Sequence, residues 1–170
     1  SCVPGSDVTC YGGNNGSASV NVFNSVGVVG YTWSPSGGSG PSATGLTAGT
    51  YTVTVSDYCA TPSTCTVTIA QPAAALSVSC AATDESFPGA NDGTASVSSS
   101  GGSGGTLSYL WTPSGGTGPT EIGLAAGIYT VVVTDGACGF QICTSTVGSG
   151  CLPSTPATSA SASSSEICSG

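Results

Sequence analysis

The sequence contains no lysine, arginine or histidine among its 170 residues, and its eight Asp and Glu residues give a net charge of −8. Without a cationic side chain the protein cannot neutralise phosphate groups, so the electrostatic basis for binding nucleic acid or anionic lipid headgroups is missing. Serine triads with a histidine base, Schiff-base lysines and Walker-type phosphate loops are excluded for the same reason. We therefore predict a protein that is not an enzyme and has no nucleic-acid partner.

The chain also has few aromatic residues and no long apolar run. Aromatic residues make up 6% of the sequence, and no stretch approaches the roughly 20 apolar residues that a membrane span needs. Nine cysteines, 38% hydrophobic residues and a mean hydropathy of +0.28 argue against a disordered coil. This density of cysteine is typical of an oxidising compartment, so we predict a secreted, cell-surface protein. The absence of an initiator methionine and of a signal peptide predicts a processed product or a segment of a longer chain.

Internal repetition organises the sequence. Residues 31–57 align without a gap on residues 109–135, at an offset of 78, with 17 identities in 27 positions. Upstream of this match, residues 14–20 resemble residues 91–97. A tandem duplication explains both matches. It predicts three parts: repeat 1 at 1–72, repeat 2 at 73–150 after a short alanine linker, and a C-terminal extended segment at 151–170.

Within each repeat, hydrophobic residues alternate with threonine or serine. Tyr51, Val53 and Val55, for example, alternate with threonines, and clusters of glycine, proline and asparagine separate such segments. Several short strands in each repeat and almost no helix signal predict an all-β fold of two tandem Ig-like or Greek-key antiparallel β-sandwich repeats, stapled by disulfides. Trp33 and Trp111 fall on strand positions and are predicted to be core residues.

The order of motifs in each repeat resembles a known family. A cysteine is followed by Gly-Asn-Asn-Gly-Ser-Ala-Ser-Val, by Tyr-x-Trp, by Gly-Leu-x-Ala-Gly-x-Tyr-Thr-Val-x-Val-x-Asp and by a second cysteine, over residues 8–72 and, with variations, 78–147. This order resembles the SprB-type repeat of Bacteroidota cell-surface proteins, which include gliding adhesins. The resemblance implies an extracellular β-sandwich that is repeated in tandem in large secreted adhesins. It also suggests that Cys10 pairs with Cys59 and Cys80 with Cys138.

The spacing of the cysteines leaves a second pairing scheme open. Cys59 and Cys65 are six residues apart, and Cys138 and Cys143 are five apart, so each pair is close enough to staple the last hairpin of its repeat. Because nine is an odd number, one cysteine is predicted to bond to another molecule, and Cys168 is the candidate. The residues predicted to form disulfides are Cys2, Cys10, Cys59, Cys65, Cys80, Cys138, Cys143 and Cys151. No C-x-x-C pair or histidine favours a zinc site.

Four polar residues in loops are candidate calcium ligands. They are Asn15, Asp57, Asp92 and Asp135. Asp57 and Asp135 share a repeat position, Asp92 matches Asn15, and oxygen ligands without an internal cation suit calcium. Turn chemistry is the alternative, because Asp and Asn before glycine are common in turns. Asp84 and Glu85 would either add ligands or solvate their loop, and Asn15-Gly16-Ser17 is an N-glycosylation sequon with Asn15 as the acceptor.

These features predict a structural building block of an extracellular bacterial surface filament or stalk. Residues 163–170 resemble residues 5–12, as if a further repeat began there, so residues 158–168 are a candidate donor strand that pairs with the sheet edge of the next copy. Such a contact does not close on itself, so copies would join head to tail, with disulfides as a further link. A plain Ser/Ala-rich linker is the alternative for this segment. The alternative function is an adhesin module that binds surface carbohydrate as part of a larger secreted adhesin.

Overall fold

The computed structural model describes residues 1–58 and 61–151, which form short β-strands and one turn of 3₁₀ helix at Gly136–Cys138. No other helix occurs among the described residues, and none of them forms a helix long and apolar enough to cross a membrane. The strands of the first half are β1 (Cys2–Pro4), β2 (Gly16–Val20), β3 (Gly30–Ser34), β4 (Ser42–Leu46), β5 (Gly49–Ser56) and β6 (Ser63–Ile69). Those of the second half are β7 (Ser77–Thr83), β8 (Gly93–Ser100), β9 (Ser108–Thr112), β10 (Thr120–Leu124), β11 (Gly127–Thr134) and β12 (Phe140–Val147).

The strands pair in the same order in both halves of the described chain. One sheet of the first half has the order β1-β2-β4 and the other β3-β5-β6, while the second half has β7-β8-β10 and β9-β11-β12. The paired registers are antiparallel. In each half, one sheet contains the first, second and fourth strands, which correspond to strands A, B and E of an immunoglobulin-like sandwich. The other sheet contains the third, fifth and sixth strands, which correspond to strands C, F and G. The predicted all-β, Ig-like fold is confirmed.

Alternation along the strands builds the two cores. In β5, Tyr51 and Val53 are buried while Thr50 and Thr52 point away from the core. In β11, Val131 and Val133 are fully buried in the same alternating pattern. A strand places successive side chains on opposite faces of the sheet, so each strand contributes one apolar face to its core.

Trp33 and Trp111 anchor the cores, as predicted. They are 5% and 1% exposed, and each indole N–H donates to a backbone carbonyl seven residues later, that of Gly40 or Gly118, at 2.9 Å. The hydrogen bond satisfies the polar end of a ring that is otherwise surrounded by apolar side chains. The second residue after each tryptophan is a proline, and the peptide bond before it is cis, at Ser34-Pro35 and Thr112-Pro113.

Two tyrosines fix the entry to the fifth strand of each sandwich. The Tyr129 hydroxyl donates to the carbonyl of Ala125 at 3.0 Å, and the Tyr51 hydroxyl donates to the carbonyl of Thr47 at 3.1 Å. A tyrosine at the start of strand F that bonds to the backbone a few residues upstream is typical of immunoglobulin-like sandwiches. These bonds hold the turn before β5 and β11 against its own strand.

The glycines of the Asn-Asn-Gly and Asn-Asp-Gly motifs allow close packing at the start of the second strand. A Cβ atom on Gly16 would lie 2.6 Å from Cγ2 of Ile69 and 2.8 Å from the Leu46 carbonyl oxygen. A Cβ atom on Gly93 would meet the Val147 side chain and lie 2.9 Å from the Leu124 carbonyl oxygen. Any larger residue would push the second strand away from its neighbours, so these positions need glycine.

The chain forms two compact units that do not follow the sequence as two uninterrupted blocks. Unit 1 contains Ser1–Ser77 together with Gly101–Thr106 and Asp135–Gly139. Unit 2 contains Val78–Ser100, Leu107–Thr134 and the described residues from Phe140 onward. The loop before β9 and the turn after β11 therefore belong to the first unit, although they lie within repeat 2 as predicted from sequence.

Candidate functional site

Two disulfides occupy equivalent positions in the two sandwiches. Cys2 on β1 pairs with Cys65 on β6, and Cys80 on β7 pairs with Cys143 on β12. Each bond spans a sequence separation of 63 and joins Cα atoms 5.8 Å apart. Each sandwich is therefore closed covalently between its first and its last strand.

The third disulfide has no equivalent in the repeat pattern. Cys10, which follows β1, pairs with Cys138 on the 3₁₀ turn, over a sequence separation of 128 and with Cα atoms 5.3 Å apart. Both residues belong to unit 1, and the Cys138 sulfur lies 3.7 Å from the carbonyl oxygen of Thr9. An offset of 78 places Pro88 opposite Cys10, so this bond is an addition to the duplicated plan.

Both predicted pairing schemes are wrong. The local staples do not form, because Cys65 and Cys143 bond to the first strand of their sandwich rather than to a cysteine nearby in sequence. The family-based pairs do not form either, because Cys10 bonds to Cys138. Cys151 is disulfide-bonded as well, whereas Cys59 and Cys168 lie outside the described residues. The missed signal was the offset of 78, which relates Cys2 to Cys80 and Cys65 to Cys143.

The aspartates at the shared repeat position each hold a loop. Asp57 accepts a hydrogen bond from the Val26 N–H at 3.1 Å, in the loop between β2 and β3. Asp135, which is 2% exposed, accepts one from the Ser103 N–H at 2.6 Å and another from the Ser103 hydroxyl, in the loop between β8 and β9. In both sandwiches the residue just after the fifth strand thus fixes the loop before the third strand.

Asn15 and Asp92 form a second equivalent pair. The Asn15 side chain accepts from the Thr9 N–H at 3.0 Å and donates to the Thr9 hydroxyl at 2.7 Å. Asp92 accepts from the Ser86 N–H at 2.8 Å, and hydrogen bonds from Ser86 lower the pKa of the Asp92 carboxyl. Each side chain holds the residue six positions earlier, which closes the loop before the second strand.

These contacts give the four candidate calcium ligands loop-holding roles, two of them to residues more than 30 positions away, and calcium binding stays a prediction. Among the described residues there is no group of three or more His, Cys, Asp or Glu placed to hold a metal ion. Asp84 accepts from the Gly148 N–H at 2.6 Å. Glu85 is 4% exposed and accepts from the Asn91 N–H at 2.9 Å. The alternative in which Glu85 is a solvated loop residue is therefore wrong. Glycosylation of Asn15 stays a prediction.

Unit 1 also has a surface cavity of about 360 Å³ that the sequence did not reveal. Apolar side chains, including Val22 and Phe23, form part of its wall, and Asn21, Asn24 and Asp57 supply amide and carboxylate groups. Phe23 is 74% exposed. A neighbouring cavity shares Asp57 and is lined by Tyr58, which is 91% exposed. The available signal was that both aromatic residues stand outside the alternating strand patterns.

The outer faces of the equivalent sheets differ in chemistry. In unit 1, Thr54 lies between Thr32 and Thr64 across three strands. At the same positions in unit 2, Val132 lies between Leu110 and Ile142, which are both more than half exposed. The duplicated framework is thus kept inside while the outer faces of these sheets differ.

Comparison with known proteins adds little to this description. No protein-family model matches the chain, and no curated protein matches it significantly. The solved structure of an amphioxus IgVJ-C2 molecule is similar at 11% identity and a TM-score of 0.37, over 80% of this chain and 97% of that one. A C-terminal 282-residue fragment of intimin, solved with the intimin-binding domain of the translocated intimin receptor, is similar at 13% identity and a TM-score of 0.30, over 79% of this chain and 56% of the fragment. The immunoglobulin-like assignment therefore rests on strand order and on the tryptophan and tyrosine anchors.

Proposed function

We propose that the protein is a structural building block of an extracellular bacterial surface filament or stalk, of the SprB-type repeat family. The observation that carries the proposal is the pair of equivalent disulfides, Cys2–Cys65 and Cys80–Cys143. Disulfides persist in oxidising, extracytoplasmic compartments, which supports a secreted protein.

The position of these bonds suits a protein that is placed under tension. A sandwich that is pulled along the chain receives the force at its first and last strands. Those are the two strands that each bond joins, so the hydrogen bonds of the inner strands are relieved of the load. A binding domain with no mechanical task gains stability from a disulfide anywhere in its core. The repeated choice of the terminal strands supports a structural role.

Copies join head to tail in this proposal through strand addition. The donor strand is residues 158–168, which lie outside the described residues. Among the described strands, β6, β7 and β12 are the longest that lie outermost in their sheets, at seven or eight residues. An outermost strand offers backbone N–H and C=O groups that a donor strand can pair with. Cys168 would then add an intermolecular disulfide.

Sedimentation of the purified chain tests the joining mechanism. We expect the intact protein to form a concentration-dependent series of oligomers, and a variant that lacks residues 158–168 to sediment as a monomer. The matched control is Cys168→Ser, which keeps the donor strand and should still oligomerise. Because its oligomers lack the intermolecular disulfide, they should dissociate on dilution more readily than those of the intact protein. Oligomers that persist without residues 158–168 would reject strand addition by this segment.

A second candidate function is supported by the cavity of unit 1. Exposed aromatic rings beside amide and carboxylate groups suit a neutral saccharide, because sugar rings stack on aromatic faces and their hydroxyls pair with such groups. Phe23 and Asn24 line the first cavity, Tyr58 lines the second, and Asp57 lines both. In this proposal the protein is an adhesin module that binds surface carbohydrate.

Calorimetric titration with neutral oligosaccharides distinguishes the second candidate. Phe23→Ala and Tyr58→Ala should each weaken binding at least tenfold, because each removes one stacking surface. Phe140→Ala is the matched control, since Phe140 is exposed but does not line either cavity. Equal binding by all three variants, or no binding by the parent protein, would reject this site.

A further inference from the structure

We infer that the three disulfides together make the chain a short covalent tether that transmits tension past both sandwiches. The inference deepens the proposed structural function and rests on it. It follows from connectivity alone, because a disulfide lets tension pass directly between residues that are distant in sequence.

The first covalent route runs through the disulfide that has no repeat equivalent. From Cys2 it follows eight residue steps to Cys10, crosses to Cys138, and follows five steps to Cys143. Thirteen fully extended steps span at most about 47 Å at about 3.6 Å each. With a Cα separation of 5.3 Å across the disulfide, the route is at most about 52 Å long.

The second route uses the two equivalent disulfides. From Cys2 it crosses to Cys65, follows fifteen steps to Cys80, and crosses to Cys143. Its greatest length is about 66 Å, including two Cα separations of 5.8 Å. Without any disulfide, the 141 steps from Cys2 to Cys143 would extend to about 510 Å.

Most of the fold lies off both routes. Residues 11–64 and 81–137 belong to neither, and they contain strands β2 to β5 and β8 to β11. Tension between Cys2 and Cys143 therefore has to straighten only the residues of the shorter route before covalent bonds carry it. The inner strands, with their hydrogen bonds, never lie in the path of the load.

Either route alone is enough to connect Cys2 covalently to Cys143. Reduction of Cys10–Cys138 leaves the second route, and reduction of either other bond leaves the first. No single reduction event can release the chain. This redundancy gives a function to Cys10–Cys138, which the duplication alone does not explain.

Single-molecule pulling of the full chain, with handles at its two ends, tests the inference. The 28 residue steps outside Cys2 and Cys143 add the same length to every variant. Every variant carries Cys59→Ser, Cys151→Ser and Cys168→Ser, so that the three described disulfides are the only shortcuts. In the natural chain a further bond by Cys151 could only shorten the path. Cysteines are then replaced by serine in bonded pairs, which leaves no free thiol to exchange partners.

The variants make a matched set. Loss of Cys10–Cys138 alone should add only about 14 Å to the greatest extension, and loss of both equivalent disulfides together should add nothing. Loss of Cys10–Cys138 with either equivalent disulfide should add about 235 Å, and full reduction about 455 Å. The variant without both equivalent disulfides and the variant without Cys10–Cys138 and one equivalent disulfide each lack two bonds, yet their greatest extensions differ by more than 200 Å. The difference holds even if one variant is unfolded, because contour length depends on covalent connectivity.

Two results would overturn the inference. One is a parent chain whose total contour length while oxidised exceeds about 155 Å, which is the first route plus the 28 residue steps outside it. The other is release of more than 200 Å on loss of a single disulfide. Because single chains are pulled, either result can occur even if filaments form in electron micrographs. Conversely, a chain that stays short under tension but remains monomeric would reject the proposed filament and still support the tether.

Discussion

The disulfide that closes the second sandwich should contribute several kcal/mol to its stability. We consider the double variant Cys80→Ser with Cys143→Ser, which opens a loop whose ends are 63 residues apart in sequence. Because the other two disulfides already connect Cys80 and Cys143 through 28 residue steps, the chain-entropy model gives a restriction of the unfolded chain of about 3.6 kcal/mol at 25 °C. Removing the bond should lower the free energy of unfolding by about 4 kcal/mol, which shifts a urea midpoint by about 2 M if the denaturant slope is about 2 kcal/mol per M.

The two tryptophans let each sandwich be followed separately. Trp33 lies in unit 1 and Trp111 in unit 2, and they are the only tryptophans in the sequence. Trp33→Phe leaves Trp111 as the probe for loss of Cys80–Cys143. Trp111→Phe leaves Trp33 as the probe for the matched loss of Cys2–Cys65, which spans the same separation and should cost the same amount. A loss below about 1 kcal/mol in both sandwiches would refute the reasoning, because the bonds would then not restrict the unfolded chain.

Three further predictions follow from the packing and the loops. Val131→Ala should lower the free energy of unfolding by about 2 kcal/mol because Val131 is fully buried. Val132→Ala, at a partly buried position on the outer face, should cost less than about 1 kcal/mol in the same urea titration. Gly93→Ala should cost about 1–3 kcal/mol, since the new Cβ would lie 2.9 Å from the Leu124 carbonyl oxygen, and an unchanged melting temperature would contradict the packing described. Hydrogen bonds from Ser86 lower the pKa of Asp92, so the contribution of its carboxylate to stability is present above the ordinary carboxyl range and is lost as the pH falls through the lowered pKa. Asp92→Ala should therefore reduce the change of melting temperature with pH over that acidic range, and an unaltered pH profile would contradict this prediction.

Local patterning was enough to predict the strands and much of the core. The alternation of Tyr51 and Val53 with threonines has the period of a strand, and burial follows it. Trp33 and Trp111 were predicted to be buried because they stand within such segments. These features depend on neighbours in sequence, which a single chain displays directly.

Disulfide pairing depends instead on which strands meet in space. Cys65 has a nearer sequence neighbour in Cys59, yet it bonds to Cys2 because the first and last strands of the sandwich lie together. The repeat offset contained this information for Cys80 and Cys143 as well. No repeat pattern contained the bond between Cys10 and Cys138, which arises from the assignment of residues 135–139 to unit 1.

The sequence showed which loop carboxylates are equivalent but not what they contact. Asp57 and Asp135 stood out because they share a repeat position, but a shared position does not distinguish a metal ligand from a loop anchor. The structure supplies the loop partners, namely the Val26 N–H and both donors of Ser103, and calcium binding at these carboxylates stays a prediction. Phe23 and Tyr58 stand outside the strand patterns, but sequence position alone does not show that the fold brings both into cavities lined by Asp57.

Electron microscopy of the purified full chain tests whether the protein is a structural subunit that assembles head to tail. Negatively stained samples would be compared before and after reduction and with and without a calcium chelator. Head-to-tail assembly predicts beaded filaments built from repeating two-unit particles before reduction, and their shortening or loss when the disulfides are reduced. Compact monomers in every condition would contradict it.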